Sequence, residues 1–437
     1  MCVILFYDYC AGQNFAERLV IQPRKFNKLS EISHICSMKK YILLSARMLA
    51  AFFMLLLALL CLFSVSPVYR FSPPTPFSGP DIYNPYSSLD SLPAWKRANF
   101  HTHTKVDNIL NECPEYPAAV LEDYKELGYD ILAFSNHNQL TPHPVDRSLQ
   151  INVYEHGYNL FKFHKLVFNP SKMMLFDHLL PLLVSQKQWQ YDYLSRNADF
   201  IVMNHPDRTL HATPRSMRLL TGYRLMEADS GAGTDLARWD EALGAGHYSH
   251  CLISDDCHDS GNHRKIARRC SWLHAASPRY EGIRPVLLSG CFYSTRIPDF
   301  GDGDWAVKYD ENRHIPQIES IGLRADTVFM KLSAPASIEA WGQGHRLLSR
   351  SEGDSFESPL AADEPYMRLT AYFDNGVVLY TNAFARFDKS ESETPYKESP
   401  HEVNWLLTIL FNAVLAAAAL LFIRLGLRLV PHKKSKS

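Results

Sequence analysis

Two histidines, His101 and His103, stand one residue apart in F-H-T-H-T. On a strand, residues i and i+2 point to the same side, so two imidazoles at a strand end can grip one metal ion. Alone, that pattern is weak. Further His, Asp and Glu residues close other apolar runs. His137 follows Y-D-I-L-A-F-S-N, His205 follows F-I-V-M-N, and Asp256 and His258 follow H-C-L-I-S. Glu155 follows I-N-V-Y, and His164 lies nine residues further on. Any one of these reads equally well as a surface or core residue. Repeated placement after predicted strands is harder to explain that way, because barrel enzymes build their sites at the carboxyl ends of strands. Imidazole and carboxylate together suit zinc, manganese or iron.

The elements that must position these side chains follow from periodicity. Residues 118–128 space Leu121, Tyr124 and Leu127 as a helix ending at a glycine. Residues 129–135, 200–204 and 250–254 read as buried strands. Strands alternating with helices imply a parallel sheet or barrel over residues 94–300. From residue 313 to 388 the pattern changes to strand-like runs, with Asp374-Asn375-Gly376 as a hairpin turn, which predicts a small all-β, sandwich-like domain.

The ordered text W-K-R-A-N-F-H-T-H-T, G-Y-D-I-L-A-F-S-N-H-N, Y-E-H-G, N-H-P-D-R and S-D-D-C-H-D, over residues 95–295, resembles the PHP (polymerase and histidinol phosphatase) metallohydrolases. The resemblance implies an α/β fold, a distorted (β/α)7 barrel holding two or three divalent metal ions, and phosphoester hydrolysis. It implies that His101, His103, Glu155 and Asp256 hold one ion, that Glu155 bridges to a second held by His164 and His205, and that His137 and His258 hold a third with Asp107. His101, His103, Asp256 and His258 are expected to carry the catalysis. The chain departs from the family's frequent T-D-H where it has Ser135-Asn136-His137, and the stretch after H-T-H-T is one residue short, which leaves Asn108 or a solvated carboxylate as alternatives to Asp107. His143 and His156 match no ligand position and are read as ordinary polar residues. Glu227, in R-L-M-E-A-D-S-G, ends another strand-like run and fits either a barrel-end role or buried hydrogen bonding.

Metals serve this chemistry because a bound divalent ion makes water a nucleophile at neutral pH and offsets charge on a transferring phosphoryl group. Arginine grips phosphate oxygens in pairs, and Arg208, Arg264 and Arg268 are the substrate-binding candidates, each with surface solvation as its bland alternative. The expected substrate is a phosphate mono- or diester. A carboxylic ester, carbamate or amide is the alternative, and a non-catalytic binding or scaffolding ectodomain is a third reading.

The 437 residues carry a net charge of -1, which argues against a nucleic-acid partner. Two uncharged apolar stretches, residues 48–65 and 405–423, are long enough to cross a bilayer. The expected order is a cytoplasmic tail or upstream extension (1–40, with Met38 as an alternative start), a span (41–68), an exposed Pro/Ser-rich linker (69–93), the barrel, the β domain, a second span (404–424) and a basic tail (425–437). Lys39, Lys40 and Arg47 precede the first span, and Arg424, Arg428, Lys433, Lys434 and Lys436 follow the second. The positive-inside rule then puts both termini in the cytoplasm and the barrel outside the cell membrane. Five cysteines between the spans, with no C-x-x-C pair, do not make a disulfide framework.

Overall fold

A computed structural model describes residues 23–89, 94–107, 109, 111–209, 211–229, 236–398 and 400–431. Residues 1–22, 90–93 and 432–437 lie outside them, with Asn108 and the basic residues Lys433, Lys434 and Lys436. The chain divides into two compact units, residues 63–415 and the remainder. The helical segments Ser37–Phe63 and Trp405–Leu429, which supply most of the second unit's apolar residues, are long and apolar enough to cross a membrane. A Cβ placed on Gly426 would lie 3.4 Å from the carbonyl oxygen of Ala51, so the two helices pass close together at this glycine.

In residues 63–415, strands form two main sheets. The larger has 11 strands, and its main path runs Ile318–Arg324, Thr327–Gly342, Tyr366–Phe373, Val378–Thr381, Phe292–Arg296, Arg269–Leu273, Lys96–Asn99 and Ile131–Leu132. The smaller has five: Val153–His156, Lys165–Phe168, Phe200–Met203, Leu225–Glu227 and His250–Leu252. Phe100, Ile131, Val153, Leu166, Val202, Leu252 and Leu273 pack into one core cluster drawn from both sheets. Short all-buried runs explain these strands, since both faces meet apolar neighbours.

Among the described residues the strands fall into two sheets, whose edges meet at the isolated parallel bridges Thr102–Cys257 and His137–Glu155; a closed sheet of the expected (β/α)7 barrel is not formed by ladders alone. Side chains also tie the strand His250–Leu252 to the large sheet. Ile253 N–H donates to Ser271 Oγ (3.2 Å), Cys251 N–H to Asn382 Oδ1 (2.7 Å), and Ser294 Oγ to the Cys251 carbonyl (2.7 Å). The stretch expected as a small β domain is continuous with the large sheet. Strand Val378–Thr381 pairs antiparallel with Phe292–Arg296, so residues 313–388 extend the large sheet. They share its core, where Leu369 and Ala371 join Val120 and Tyr124. The expected exposed linker is instead a strap. Tyr69–Phe71 pairs with His401–Val403 and Asp81–Tyr83 with Phe384–Phe387.

Other readings coincide with the structure more closely. The helix runs Pro117–Glu126, with Gly128 at φ 81° after its end. The turn at Asp374-Asn375-Gly376 joins Tyr366–Phe373 to Val378–Thr381, and Gly376 N–H donates to the Phe373 carbonyl (2.9 Å). Cys113, Cys251, Cys257, Cys270 and Cys291 are buried and not joined in disulfides.

Candidate metal centre

One end of the two sheets collects the chemistry. Lys96–Asn99 and Ile131–Leu132 run parallel and end there, leading to His101, His103 and His137. Phe200–Met203, Leu225–Glu227 and His250–Leu252 also run parallel and deliver His205, Glu227 and Asp256. Lys165–Phe168 is antiparallel to its neighbours, so its amino end brings His164 to the same rim. Isolated bridges tie the rim together, Thr102 with Cys257 and His137 with Glu155.

Glu155 is the hub, and it is 1% exposed. Its Oε2 faces Nε2 of His101 (3.1 Å), His103 (3.2 Å) and His137 (3.3 Å). Its Oε1 faces His164 Nδ1 (3.0 Å) and His205 Nε2 (3.1 Å). Asp256 Oδ1 lies 3.1 Å from His101 Nε2 and 3.2 Å from His103 Nε2. A third group joins His103, His137, His258 and Glu112, with Glu112 Oε2 2.8 Å from His258 Nε2.

These contacts are not ordinary hydrogen bonds. His101 Nδ1 faces Glu227 Oε1 at 2.9 Å, and a carboxylate only accepts, so Nδ1 carries the proton. Neutral His101 then turns an Nε2 lone pair toward two carboxylate oxygens. His101 Nε2, His103 Nε2 and Asp256 Oδ1 are all buried without a hydrogen-bond partner. His258 repeats the pattern, since its Nδ1 donates to the Asp256 carbonyl (2.9 Å) and leaves Nε2 facing Glu112. Buried lone pairs aimed at one another are costly unless a cation lies among them. Ligands about 2.0–2.2 Å from an ion at near-right angles stand about 3 Å apart, which matches the observed edges. The cluster therefore fits divalent metal ions, with Glu155 placed to serve two of them.

Without metal, protons must do that work. Burial pushes the His103 pKa down, but the Asp256 and Glu155 carboxylates raise it further, to about 9. His101 is likewise buried, and Glu227, Asp256 and Glu155 hold its pKa well above the usual range. Burial raises Glu155 and Asp256, yet the surrounding imidazoles hold both well below ordinary carboxylates.

The supports around the ligands are specific. Glu227, 2% exposed, orients His101 and also accepts the His205 backbone N–H (3.2 Å). Asn204 donates to Glu155 Oε1 (3.0 Å) and accepts Leu166 N–H (2.8 Å). Asn136 accepts Thr104 N–H and donates to the Thr104 and Thr141 hydroxyls, which suits an amide where the resembled family often has Asp. Asp255 accepts three backbone N–H groups, of Ala267, Arg268 and Arg269, and pins the loop that presents Asp256. Two ligands sit in left-handed backbone, His205 at φ 26° and Asp256 at φ 51°, a strain of about 1–3 kcal/mol each that surrounding packing must hold. Gly157 has φ 142°, and a Cβ there would lie 2.4 Å from the His164 ring.

The structure brings together His101, His103, His137, Glu155, His164, His205, Asp256 and His258. It does not bring Asp107 among them. Asp107 is exposed and joins none of these groups, whereas the Glu112 carboxylate reaches the third. Residues 106–113 have no periodic pattern that would have singled out Glu112; the only signal was a carboxylate within ten residues of His103. Arg208 pairs with Asp256 Oδ2 and is 34% exposed, at the mouth of the site. Arg264 is 74% exposed and faces Asp302, and Arg268 is spent on the carbonyls of Ile297 and Arg264. Of the three arginines, only Arg208 contacts a residue of the clustered groups. His156 is buried against the Phe176 carbonyl, and His143 accepts Asp146 N–H, both outside the cluster.

No family profile and no curated protein matches the chain. A solved two-domain structure from Bacteroides vulgatus, described as containing a predicted PHP-like metal-dependent phosphoesterase, is similar at a TM-score of 0.33 and 14% identity. It covers 72% of this chain and 100% of its own. A likeness at that score carries no weight for the chemistry of this chain, which rests on the cluster itself.

Proposed function

We propose that this chain is a metal-dependent phosphoesterase. The observation that carries the reading is Glu155, a buried carboxylate whose two oxygens face two separate sets of imidazoles. Divalent ions bound there would lower the pKa of water and neutralise charge on a phosphoryl group. Charge balance favours phosphate over a carboxylic ester. Glu112, Glu155 and Asp256 together offset only half the charge of three divalent ions, and Arg208 adds to the surplus. A site with that surplus suits an anionic substrate.

The chain's own groups then have distinct tasks. Asp256 divides its oxygens, Oδ1 toward His101 and His103 and Oδ2 toward Arg208. Arg208 is thereby held at the mouth, where its planar fork can pass from Asp256 to two phosphate oxygens. Glu227 fixes the His101 tautomer, so that Nε2 faces inward. Asn204 and the Asn138 N–H, bonded to the Glu155 carbonyl (2.8 Å), hold Glu155 in place.

We also infer that the two apolar helices span a membrane with both termini cytoplasmic, which puts the cluster outside. Basic residues at Lys39, Lys40, Arg47, Arg424 and Arg428 flank the outer ends of both helices. Protease added to intact spheroplasts should cut the domain; protection until lysis would reverse the orientation.

The activity is tested by offering the metal-loaded protein an aryl phosphate, an aryl phosphodiester and an aryl carboxylic ester. Chelator-sensitive turnover of a phosphate ester is expected. Turnover of the carboxylic ester alone, or of none, would overturn the reading.

A further inference from the structure

The residues that link the metal cluster to the membrane end of the domain are unusually apolar. Residues 171–183 read S-K-M-M-L-F-D-H-L-L-P-L-L, in a loop without regular structure. Leu175 is 50% exposed, Leu182 64% and Leu183 38%, and Leu160 in the neighbouring loop is 68% exposed. Scattered exposed leucines need no explanation, but a group of them in one place does.

Their place is where the chain leaves the first apolar helix. The Phe63 ring stacks on Phe176 at 5.9 Å, and His178 Nδ1 donates to the Phe63 carbonyl at 2.7 Å. Gln186 Nε2 donates to the Ser64 carbonyl (2.9 Å), while its Oε1 accepts Leu183 N–H (3.0 Å). The second helix starts beside the same strap, where Val68 N–H donates to Thr408 Oγ1 (2.9 Å). Trp189 stacks on Tyr193 and packs edge-on to Phe176, and such rings favour the headgroup level of a bilayer. Lys162 and Lys172 are exposed at the margins of the leucines.

The same loops reach the metal cluster through the backbone. Leu160 lies between two ligands, Glu155 and His164. Its N–H donates to the Leu179 carbonyl (3.0 Å), and the N–H groups of Tyr158 and Asn159 donate to Asp177 Oδ2 (3.0 and 3.2 Å). The ligand loop and the leucine loop are therefore one hydrogen-bonded piece.

We propose that Leu160 and the leucines of residues 171–183 bed in the headgroup region of the bilayer from which Phe63 emerges, and that the phosphate ester cleaved is carried by a lipid of that leaflet. This rests on the phosphoesterase reading and on the two spans. Apolar side chains flanked by lysines are the chemistry of an anionic lipid surface.

The test uses the full chain in nanodiscs of phosphatidylcholine and phosphatidylglycerol. With Cys2, Cys10, Cys36 and Cys61 changed to serine, the five remaining thiols are buried. A fluorophore on Leu182→Cys should be quenched by headgroup nitroxide lipid, and one on Val145→Cys, 74% exposed in native form, should not. Equal quenching at the two positions would overturn the docking. With phosphatidic acid added to these discs, the wild-type protein should release phosphate from it. The pair Leu160→Ser and Leu182→Ser should slow that release by about tenfold relative to the variant's own turnover of p-nitrophenyl phosphate, because both anchors are lost. Turnover of p-nitrophenyl phosphate without any lipid hydrolysis would overturn the lipid substrate and leave the phosphoesterase standing. Turnover of neither would defeat the phosphoesterase reading, and the lipid substrate with it.

Discussion

Replacing Glu227 tests whether the His101 tautomer sets metal affinity. Glu227 is no ligand, yet one oxygen holds His101 Nδ1 at 2.9 Å and the other holds the His205 backbone N–H at 3.2 Å. Glu227→Gln keeps one accepting oxygen, so it can hold one of these donors and not both. It also removes the negative charge that makes Nε2 a better ligand. Loss of such a partner weakens metal binding by about 10–100-fold, or about 1.4–2.8 kcal/mol. Glu227→Ala leaves both donors buried and unpaired, and each costs about 1–3 kcal/mol. Its loss should therefore exceed that of the glutamine variant and lower the melting temperature as well. Affinity is read by competition with a chromophoric chelator, and folding by circular dichroism of the same samples. If Glu227→Gln binds metal within twofold of wild type, the tautomer argument is wrong, and the inward lone pairs lose their main support.

The same geometry sets other expectations. Gly157→Ala should displace His164 and remove one equivalent of metal while His101 and His103 still bind theirs; unchanged stoichiometry in elemental analysis would show that the loop yields freely. Glu112→Gln should weaken binding of one ion, whereas Asp107→Asn should leave the titration unchanged; the reverse order would restore Asp107 as the ligand. Metal must displace the His103 proton, so binding between pH 6.5 and about 9 should release protons, with apparent affinity rising by about tenfold per pH unit per proton and levelling above about 9. The raised pKa also means that this group's contribution to metal-free stability is full below 6.5 and fades as pH climbs through about 9. Calorimetry in buffers of different ionisation enthalpy measures the release, and none would refute the protonated cluster. Arg208→Ala should cut phosphate-ester turnover by about 10–100-fold, as loss of a charge-assisted grip on phosphate, and Arg264→Ala should not; equal effects would remove Arg208 from the substrate.

The clustered residues were legible because strand ends impose order on the text. His137, His205 and Asp256 each follow a short all-apolar run, and that run is what a strand buried on both faces looks like. Glu112 was not legible, since it lies in an irregular stretch whose path depends on tertiary contacts such as Lys105 N–H to the Glu115 carbonyl. How the two sheets meet was also beyond reach. Whether the strand His250–Leu252 pairs by backbone or through Ser271, Ser294 and Asn382 depends on side chains far away in sequence. Most strands of residues 313–388 were recognised, the polar strand Arg346–Pro359 excepted, but alternation says which face is buried and not which sheet is extended. The Pro/Ser-rich strap misled for a similar reason. Its composition favours extended backbone, and extended backbone serves equally as a linker or as an edge strand.

The central claim is that Glu155 lies between two bound ions. An anomalous-difference map from crystals of the full chain soaked in manganese tests it most directly. Two peaks should flank the Glu155 carboxylate, one among His101, His103 and Asp256 and one between His164 and His205, with a further peak near Glu112, His137 and His258. A map without peaks beside Glu155, or with a single peak away from it, would contradict the account.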